Sequence, residues 1–504
     1  MSTARQDQLR ARRMGIDTYH EPVAFMRENC AVCRAEGFKA MARVRIAHDE
    51  RSIIATLNVV RGQSLAPSEI GLSEAAWHAL GSHSGDLVSV SHPEPVESFS
   101  SVRSKIYGKP FDAAALHDVV RDITAGRYSS IEIAAFVTAC AGNHMTLEET
   151  VALTRAMVDS GTRLAWQQNP VMDKHCVGGL PGNRTTPILV AIAAACGLTI
   201  PKTSSRAITS PAGTADTMAV LAPVELTLQH IRRVVDSEGG CVVWGGSIAL
   251  SPADDRLIQV ERPLEIDSSG QLTASVLSKK LAAGSTHLLI DMPVGATAKV
   301  RSAAAADVLQ HSLEAAGAAL GLQTRVVRTD GTQPVGRGIG PVLEAIDVLA
   351  VLRNGAGAPP DLRQRALLLA GHLLELGGKA AAGDGIALAR KTLDSGAAWK
   401  KFEAICIAQG GLRKPRRAPH RRPVVAPCAG IVGSIDNRRL ARTAKLAGAP
   451  LSPAAGVELC VRLGQRVEAD APVYLIHAEA PGELDYAAAY AAAHPEIVSV
   501  KEPS

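Results

Sequence analysis

Aromatic side chains are scarce: 6 Phe, 6 Tyr and 4 Trp make up 3% of 504 residues. A core of this composition must be built from aliphatic side chains and close helix packing. Long apolar runs are also missing. The longest, Pro187 to Leu198, is far too short to span a bilayer, so no membrane partner is expected. No apolar segment accompanies Arg5, Arg10, Arg12 and Arg13, so no secretory signal is expected either. The 9 cysteines are odd in number and scattered, which argues against a disulfide scaffold and for a reducing, cytoplasmic location. Cys30 and Cys33 form the one C-x-x-C, without a second Cys or His pair nearby, and no metal is assigned to them. Neither sign of charge dominates. A net +5 suits small anionic substrates and does not demand nucleic acid. Finally, neither G-x-x-x-x-G-K-[ST] nor G-x-G-x-x-G occurs in the segment richest in glycine and hydroxyls, so a P-loop and a dinucleotide fingerprint are excluded there.

That segment runs from Asp173 to Asp216 and reads DKHCVGGLPGNRTTPILVAIAAACGLTIPKTSSRAITSPAGTAD. It holds Lys174, His175, the pair Gly178 and Gly179, Thr185 and Thr186, a serine-rich SSR and Gly213-Thr214. Small hydroxyls, glycines and two cationic groups suit an anion held beside a reacting carbon. The helix-like run from Pro187 to Cys196 places the two threonines at a helix N-terminus, where free N–H groups and the helix dipole favour phosphate. A second constellation lies downstream. Ser275 and Lys279 are four apart in TASVLSKKL and project from one helix face. Asp267 precedes that helix, and Lys299 follows a strand and the loop MPVGATA, where α/β sheets place ligand groups.

The length allows roughly three domains. Residues 1–95 mix short β-like runs with Gly, Ser and Pro turns and read as a small β-rich domain. Residues 100–168 change to helical period, with Leu116, Val119, Val120 and Ile123 on one face and a capping box at Thr146 and Glu149. This helical lobe is expected to be joined by residues of about 252–285. Residues 170–410 alternate strand-like runs (Cys241 to Trp244, His287 to Ile290, Thr324 to Val327) with Ala-rich helices. That pattern predicts a mostly parallel sheet. The basic, Pro-rich stretch from Arg413 to Pro423 has no aromatic stacking residue and reads as a solvated linker. Residues 424–504 read as an α+β domain, and VRLGQRVEADAPVYLIHAE within them is similar to a biotinyl or lipoyl carrier hairpin but has no lysine to modify. The fold class is therefore α/β: a helical lobe plus a mixed, mostly parallel α/β lobe, with a small β-rich N-terminal domain and an α+β C-terminal domain.

KHCVGG, SSRAITSPAGTAD and TASVLSKKL together resemble the thymidine phosphorylase/AMP phosphorylase family of nucleoside phosphorylases, over roughly residues 100–500. The family signature S-x-R-x-x-x-x-x-x-G-T-x-D runs from Ser204 through Arg206, Gly213 and Thr214 to Asp216. The resemblance implies phosphate contacts from Lys174, Cys176, Gly179, Thr186, Ser204 and Thr214, with Cys176 standing where the family usually has serine. It implies a base side made of His175, Ser275 and Lys279. In the AMP branch it adds Asp267 as proton donor and Ser205, Arg206, Ala207, Ile208, Thr209, Ser210 and Lys299 as nucleotide contacts. The arginine with which thymidine phosphorylases grip the pyrimidine falls on Val260, two positions from Arg262. The implied reaction is phosphorolysis of an N-glycosidic bond, with inorganic phosphate as co-substrate and no cofactor. Two substrates stay open: a thymidine-type nucleoside or a nucleoside 5′-monophosphate. Whether His175 or Asp267 protonates the base stays open too. Two lobes closing on the substrate and a homo-oligomer, dimer or larger, are expected from the family. Anthranilate phosphoribosyltransferases share the architecture but use magnesium, for which no carboxylate pair stands out here.

Overall fold

The computed structural model describes residues 8–142, 144–207, 210–264, 266 and 268–501. The chain divides into two compact units. One comprises Met1–Cys140 and Asp255–Ile266, the other Ala141–Asp254 and Asp267–Ser504.

The first unit begins with a closed six-stranded barrel. Its strands are β1 (Gln8–Arg13), β2 (Val23–Arg27), β3 (Arg43–His48), β4 (Arg51–Val60), β5 (Glu69–Leu72) and β6 (Leu87–Ser91), in the spatial order β1-β5-β2-β4-β3-β6. Closure removes the unpaired edges that a small sheet would expose. The interior is aliphatic, with Met26, Val44, Ile46, Leu57, Ile70, Leu72 and Val88 fully buried. Two short helices belong to this barrel, α1 (Ala31–Glu36) and α2 (Glu74–Leu80). The C-x-x-C pair starts α1: the Cys33 N–H donates to the Cys30 sulfur at 3.1 Å, so Cys30 acts as an N-cap. Three helices follow, α3 (Phe99–Ile106), α4 (Ala113–Thr124) and α5 (Ser130–Ala139). Leu116, Val119, Val120 and Ile123 form the buried stripe of α4, as their period predicts.

In the second unit, α6 (Leu147–Asp159) starts at the Thr146–Glu149 capping box. Five parallel strands then alternate with helices. They are β7 (Met172–Cys176), β8 (Ile200–Ser204), β9 (Gly240–Trp244), β10 (His287–Val294) and β11 (Gln323–Asp330). β11, β10 and β7 pair in that order, β8 pairs with β9, and a parallel bridge between Val171 and Thr199 joins the two groups. The helices between them in the chain are α7 (Thr185–Ala195), α8 (Thr214–Leu221), α9 (Leu228–Glu238), α10 (Pro252–Leu264, which from Asp255 belongs to the first unit), α11 (Ser269–Ala282) and α12 (Ala303–Ala319). The sheet is covered on both faces. Leu289 of β10 packs in one core with α7 and with α13 (Pro341–Leu352), α14 (Pro360–Leu376), α15 (Gly385–Asp394) and α16 (Ala397–Ala408). Leu288, Ile290 and Met292 pack in another, with α11 and α12. Strand alternation thus sends successive residues to different helical layers.

The chain ends in two small antiparallel sheets. One is β12 (Gly338–Ile339), β15 (Gly456–Leu459), β17 (Pro472–Ala478) and β13 (His420–Val425); the other is β16 (Arg466–Val467), β14 (Gly430–Ile435) and β18 (Val498–Lys501). They share a core with α17 (Asn437–Leu446) and α18 (Pro481–Ala493). The carrier-like stretch does not form a hairpin: β16 pairs with β14, and β17 with β13 and β15. The basic linker is exposed along most of its length, as expected, and is anchored at a few points. The Arg413 N–H donates to the Leu221 carbonyl, and Arg417 and Arg422 pair with Glu458 and Asp485. Among the described residues, no helix is long and apolar enough to cross a membrane.

Candidate active site

The site is organised by β7, whose alternate residues face different helices. Lys174 points toward α7. Its ammonium is 1% exposed and donates to Thr185 Oγ1 at 3.0 Å and Thr186 Oγ1 at 3.4 Å. The fully buried Asp291 carboxylate of β10 lies 3.7 Å away. Asp291 is itself held by Asn183 Nδ2 at 2.9 Å and Thr329 Oγ1 at 2.6 Å. This buried ammonium is thus both paired and hydrogen-bonded. Thr185 and Thr186 open α7, whose N-cap, Arg184, makes no side-chain capping bond. Lys174, two hydroxyls and an uncapped helix N-terminus therefore meet, the combination that favours an anion.

Two further strand-to-helix loops belong to this half. Ser204 ends β8, and its buried Oγ has no hydrogen-bond partner among the described residues. A buried hydroxyl left unpaired is costly, so this one is suited to meet a ligand oxygen. Thr214 starts α8 and accepts a hydrogen bond from Arg184 Nη1 at 2.7 Å. Arg184 is fixed in turn by Glu344 Oε2 at 2.7 Å and the Ala212 carbonyl at 2.9 Å. The signature residues between these points are explained by one carboxylate. Asp216 Oδ2 accepts from the N–H groups of Ala207 (2.6 Å) and Gly213 (2.8 Å), while Oδ1 accepts from Arg206 at 3.2 Å. A Cβ on Gly213 would lie 2.6 Å from the Arg206 carbonyl carbon, so the loop closes only over glycine. Arg206 also pairs with Glu225 at 2.6 Å and lies over the Trp244 ring.

Cys176 shares the Lys174 face. Asn183 Nδ2 lies 3.4 Å from its sulfur, and burial together with the Asp291 charge pushes the thiol up to about 11. It is a neutral thiol at physiological pH. Gly179 has φ +79°, and a Cβ there would come within 2.4 Å of the Lys299 backbone nitrogen. Glycine is what lets this loop meet the Lys299 segment.

The opposite face of β7 carries Asp173 and His175. Asp173 is fully buried and accepts from Lys202 Nζ of β8 and Lys280 Nζ of α11, each at 3.1 Å. Burial opposes its charge, but Lys202 and Lys280 prevail and hold the carboxyl below its usual range. His175 is partly buried. Burial, then the charges of Lys280, Lys202, Lys279 and Lys174, push its imidazole well below the usual range. It is a neutral ring at neutral pH, able to orient and hydrogen-bond a base but weak as a proton donor. Lys279 donates to Ser275 Oγ at 3.2 Å and pairs with the buried Asp254 at 2.5 Å.

The expected residues thus gather on two sides of one strand. Lys174, Cys176, Thr186, Ser204 and Thr214 belong to the α7 and α8 side, and His175, Ser275 and Lys279 to the α11 side. Arg206 and Ala207 are engaged in the Asp216 clamp. Ser205 is exposed, and Ser210 Oγ donates to the Ala212 carbonyl at 2.9 Å. Asp267, Ile208 and Thr209 lie outside the described residues. Val260 and Arg262 fall in the part of α10 that belongs to the first unit. Asp173, Lys202, Lys280, Asp254, Asp291, Asn183 and Arg184 were not anticipated. A lysine inside the apolar strand IPKTS was the one legible signal among them.

Three family models match the chain: "Glycosyl transferase family, helical bundle domain" over residues 100–161, "Glycosyl transferase family, a/b domain" over 168–399, and "Pyrimidine nucleoside phosphorylase C-terminal domain" over 431–497. A protein of Polaromonas sp. (strain JS666 / ATCC BAA-500) named "Putative thymidine phosphorylase" is 62% identical over 502 residues, covering 100% of this chain and 98% of its own. "Putative thymidine phosphorylase 1" of Acidovorax sp. (strain JS42) is 60% identical, covering 98% and 97%. The crystal structure of anthranilate phosphoribosyltransferase (TrpD) from Thermus thermophilus matches with a TM-score of 0.50 at 21% identity, covering 61% of this chain and 99% of that one. The last likeness concerns the fold alone. The chain belongs to the glycosyl transferase family defined by these helical bundle and a/b domains, and carries the C-terminal domain of pyrimidine nucleoside phosphorylases.

Proposed function

We propose that this protein phosphorolyses the N-glycosidic bond of a thymidine-type pyrimidine nucleoside, giving free base and 2-deoxyribose 1-phosphate. The observation that carries this reading is the two-sided strand β7. Lys174, with the Thr185 and Thr186 hydroxyls, faces an uncapped helix N-terminus on one side, and on the other His175 feels the charges of Lys280, Lys202 and Lys279. Phosphate held by Lys174, Thr186, Ser204 and Thr214 attacks C1′ of the sugar while the C1′–N bond breaks. The bonding pair leaves with the base. Holding the nucleophile in line replaces a bimolecular encounter by positioning. Negative charge grows on the base, and the positive field of Lys279, with Ser275 and the neutral His175, stabilises it there. Protonation of the released base completes the reaction. The names of the relatives support a thymidine-type substrate.

A nucleoside 5′-monophosphate needs a second cationic site. Arg206 and Lys299 are the candidates for it; the guanidinium of Arg206 is held by Asp216, Glu225 and Trp244, which counts toward the nucleoside for that residue. The test is a panel of thymidine, uridine, AMP, CMP and UMP, each with phosphate, scored by release of free base. Thymidine or uridine turning over well above all three nucleotides is expected. Preferential cleavage of a nucleotide would overturn the substrate assignment.

A further inference from the structure

Arg184 joins the starts of α7 and α8, the two helices on the Lys174 side of the site. Its backbone is the N-cap of α7, one residue before Thr185, yet its side chain makes no capping bond there and crosses to α8. Nη1 donates to Thr214 Oγ1 at 2.7 Å, Nη2 to the Ala212 carbonyl at 2.9 Å and Nε to Glu344 Oε2 at 2.7 Å. These acceptors lie on α8, on the loop before it and on α13. Together they fix the plane of the guanidinium, which the single ammonium of a lysine could not match. The side chain of Arg184 is 11% exposed and that of Glu344 1%. Thr217 Oγ1 also donates to Glu344 Oε2, at 2.9 Å. Glu344 thus answers the charge of Arg184, which does not depend on an incoming anion for its partner.

What Arg184 gives Thr214 is direction. Arginine has only donors, so the Thr214 oxygen must accept, and its own proton stays unused by this contact. Among the described residues nothing accepts that proton, and Thr214 is only partly buried, so the O–H has open space to point into. A hydroxyl that accepts from a cation is also the stronger donor, because hydrogen bonds in series polarise one another. We propose that Arg184 is a positioning residue of the phosphate site: by donating to Thr214 Oγ1 it leaves that hydroxyl's proton for a phosphate oxygen. The proposal rests on the reading of Thr214 as a phosphate contact in phosphorolysis. An arginine that merely ties α8 to α13 would cost stability when removed but would have no special link to the Thr214 hydroxyl.

The test is a double-mutant cycle on the full chain, read by calorimetric titration with inorganic phosphate and by steady-state kinetics with thymidine. Arg184→Met is expected to weaken phosphate binding and raise the phosphate KM by about tenfold, with the thymidine KM within about twofold. Thr214→Val removes the hydroxyl at nearly constant shape and should weaken phosphate binding by about as much. In the Thr214→Val background, Arg184→Met then adds less than about twofold, because the arginine has no hydroxyl left to direct. Effects that multiply instead, or an Arg184→Met affinity for phosphate equal to that of the unaltered protein, overturn the proposal. Should Arg184→Met not fold with Glu344 left unpaired, Arg184→Met/Glu344→Met removes the buried pair together and carries the same cycle. An unaltered chain that binds no phosphate overturns the proposal as well. If the cycle is non-additive but no nucleoside or nucleotide releases its base, the role of Arg184 stands and the phosphorolysis reading fails. If thymidine is cleaved and the two effects multiply, the phosphorolysis reading stands and the role of Arg184 fails.

Discussion

The two faces of β7 handle buried charge in opposite ways. On the α7 face, Lys174 is matched by one carboxylate, Asp291, and satisfied by threonine hydroxyls. In the proposed phosphorolysis, the same donors would hold the phosphate. On the α11 face, cations outnumber carboxylates among the described residues around a neutral His175. In the proposed phosphorolysis, that side would meet the negative charge that appears on the base during reaction. The difference teaches that one strand, through its period of two, can separate a ground-state binding site from a transition-state field.

The largest effect should come from the α7 face. Lys174→Ala is expected to cut kcat/KM by about 10³-fold or more, mostly through phosphate. The fold should survive, because Asn183 and Thr329 still donate to Asp291, although removing one partner of a buried ion pair costs about 3 kcal/mol. Steady-state kinetics at saturating nucleoside, with circular dichroism for folding, checks this. Undiminished phosphorolysis would break the assignment of that face.

Lys279→Ala attacks the other face. A fall in kcat of about 10²-fold is expected, with the phosphate KM nearly unchanged. The comparison fails if this variant loses phosphate affinity while Lys174→Ala keeps it. A smaller, mixed effect should follow Asp216→Asn. The amide nitrogen cannot accept, so one of the bonds from Ala207, Gly213 or Arg206 is lost. A destabilisation of about 1–3 kcal/mol and a rise of about tenfold in both KM values are expected, read from thermal melting and kinetics. An effect on one substrate alone would place the loop on one side only.

How much of this was legible beforehand depends on range. The helix at Thr185 and Thr186 announced itself locally, through a glycine turn followed by an apolar run, and the Thr146–Glu149 capping box was equally plain. Lys174, His175, Ser275 and Lys279 were visible because their spacing and the motifs KHCVGG and TASVLSKKL single them out. Their partners were not. Asp291 meets Lys174 across more than a hundred residues, and Glu344 meets Arg184 across 160. Such pairings are made by sheet order and helix packing, which local pattern does not encode. Arg206 shows the converse: a cation in a signature looks like a ligand until its carboxylate, Asp216, is seen beside it. The carrier-like hairpin was misread for a related reason. Alternation marks strands but does not say which strands pair.

The finest test of the comparison is Cys176, which lies on the matched face yet departs from the family's serine. Its thiol is pushed up to about 11 by burial and by Asp291, so it is neither a thiolate nor a strong donor. Asn183 approaches its sulfur at 3.4 Å, a weak contact. Replacing it by serine supplies a better donor and acceptor of smaller size in the same place. If the α7 face binds phosphate in the ground state, Cys176→Ser should lower the phosphate KM by about twofold, or leave it unchanged, and kcat should stay constant. A large rise in phosphate KM would mean that the thiol packs against something the hydroxyl cannot satisfy. A change confined to kcat would mean that Cys176 acts in the transition state. Either result would blur the division between the two faces, because the residue sits where binding, and not base departure, should be the only thing it touches.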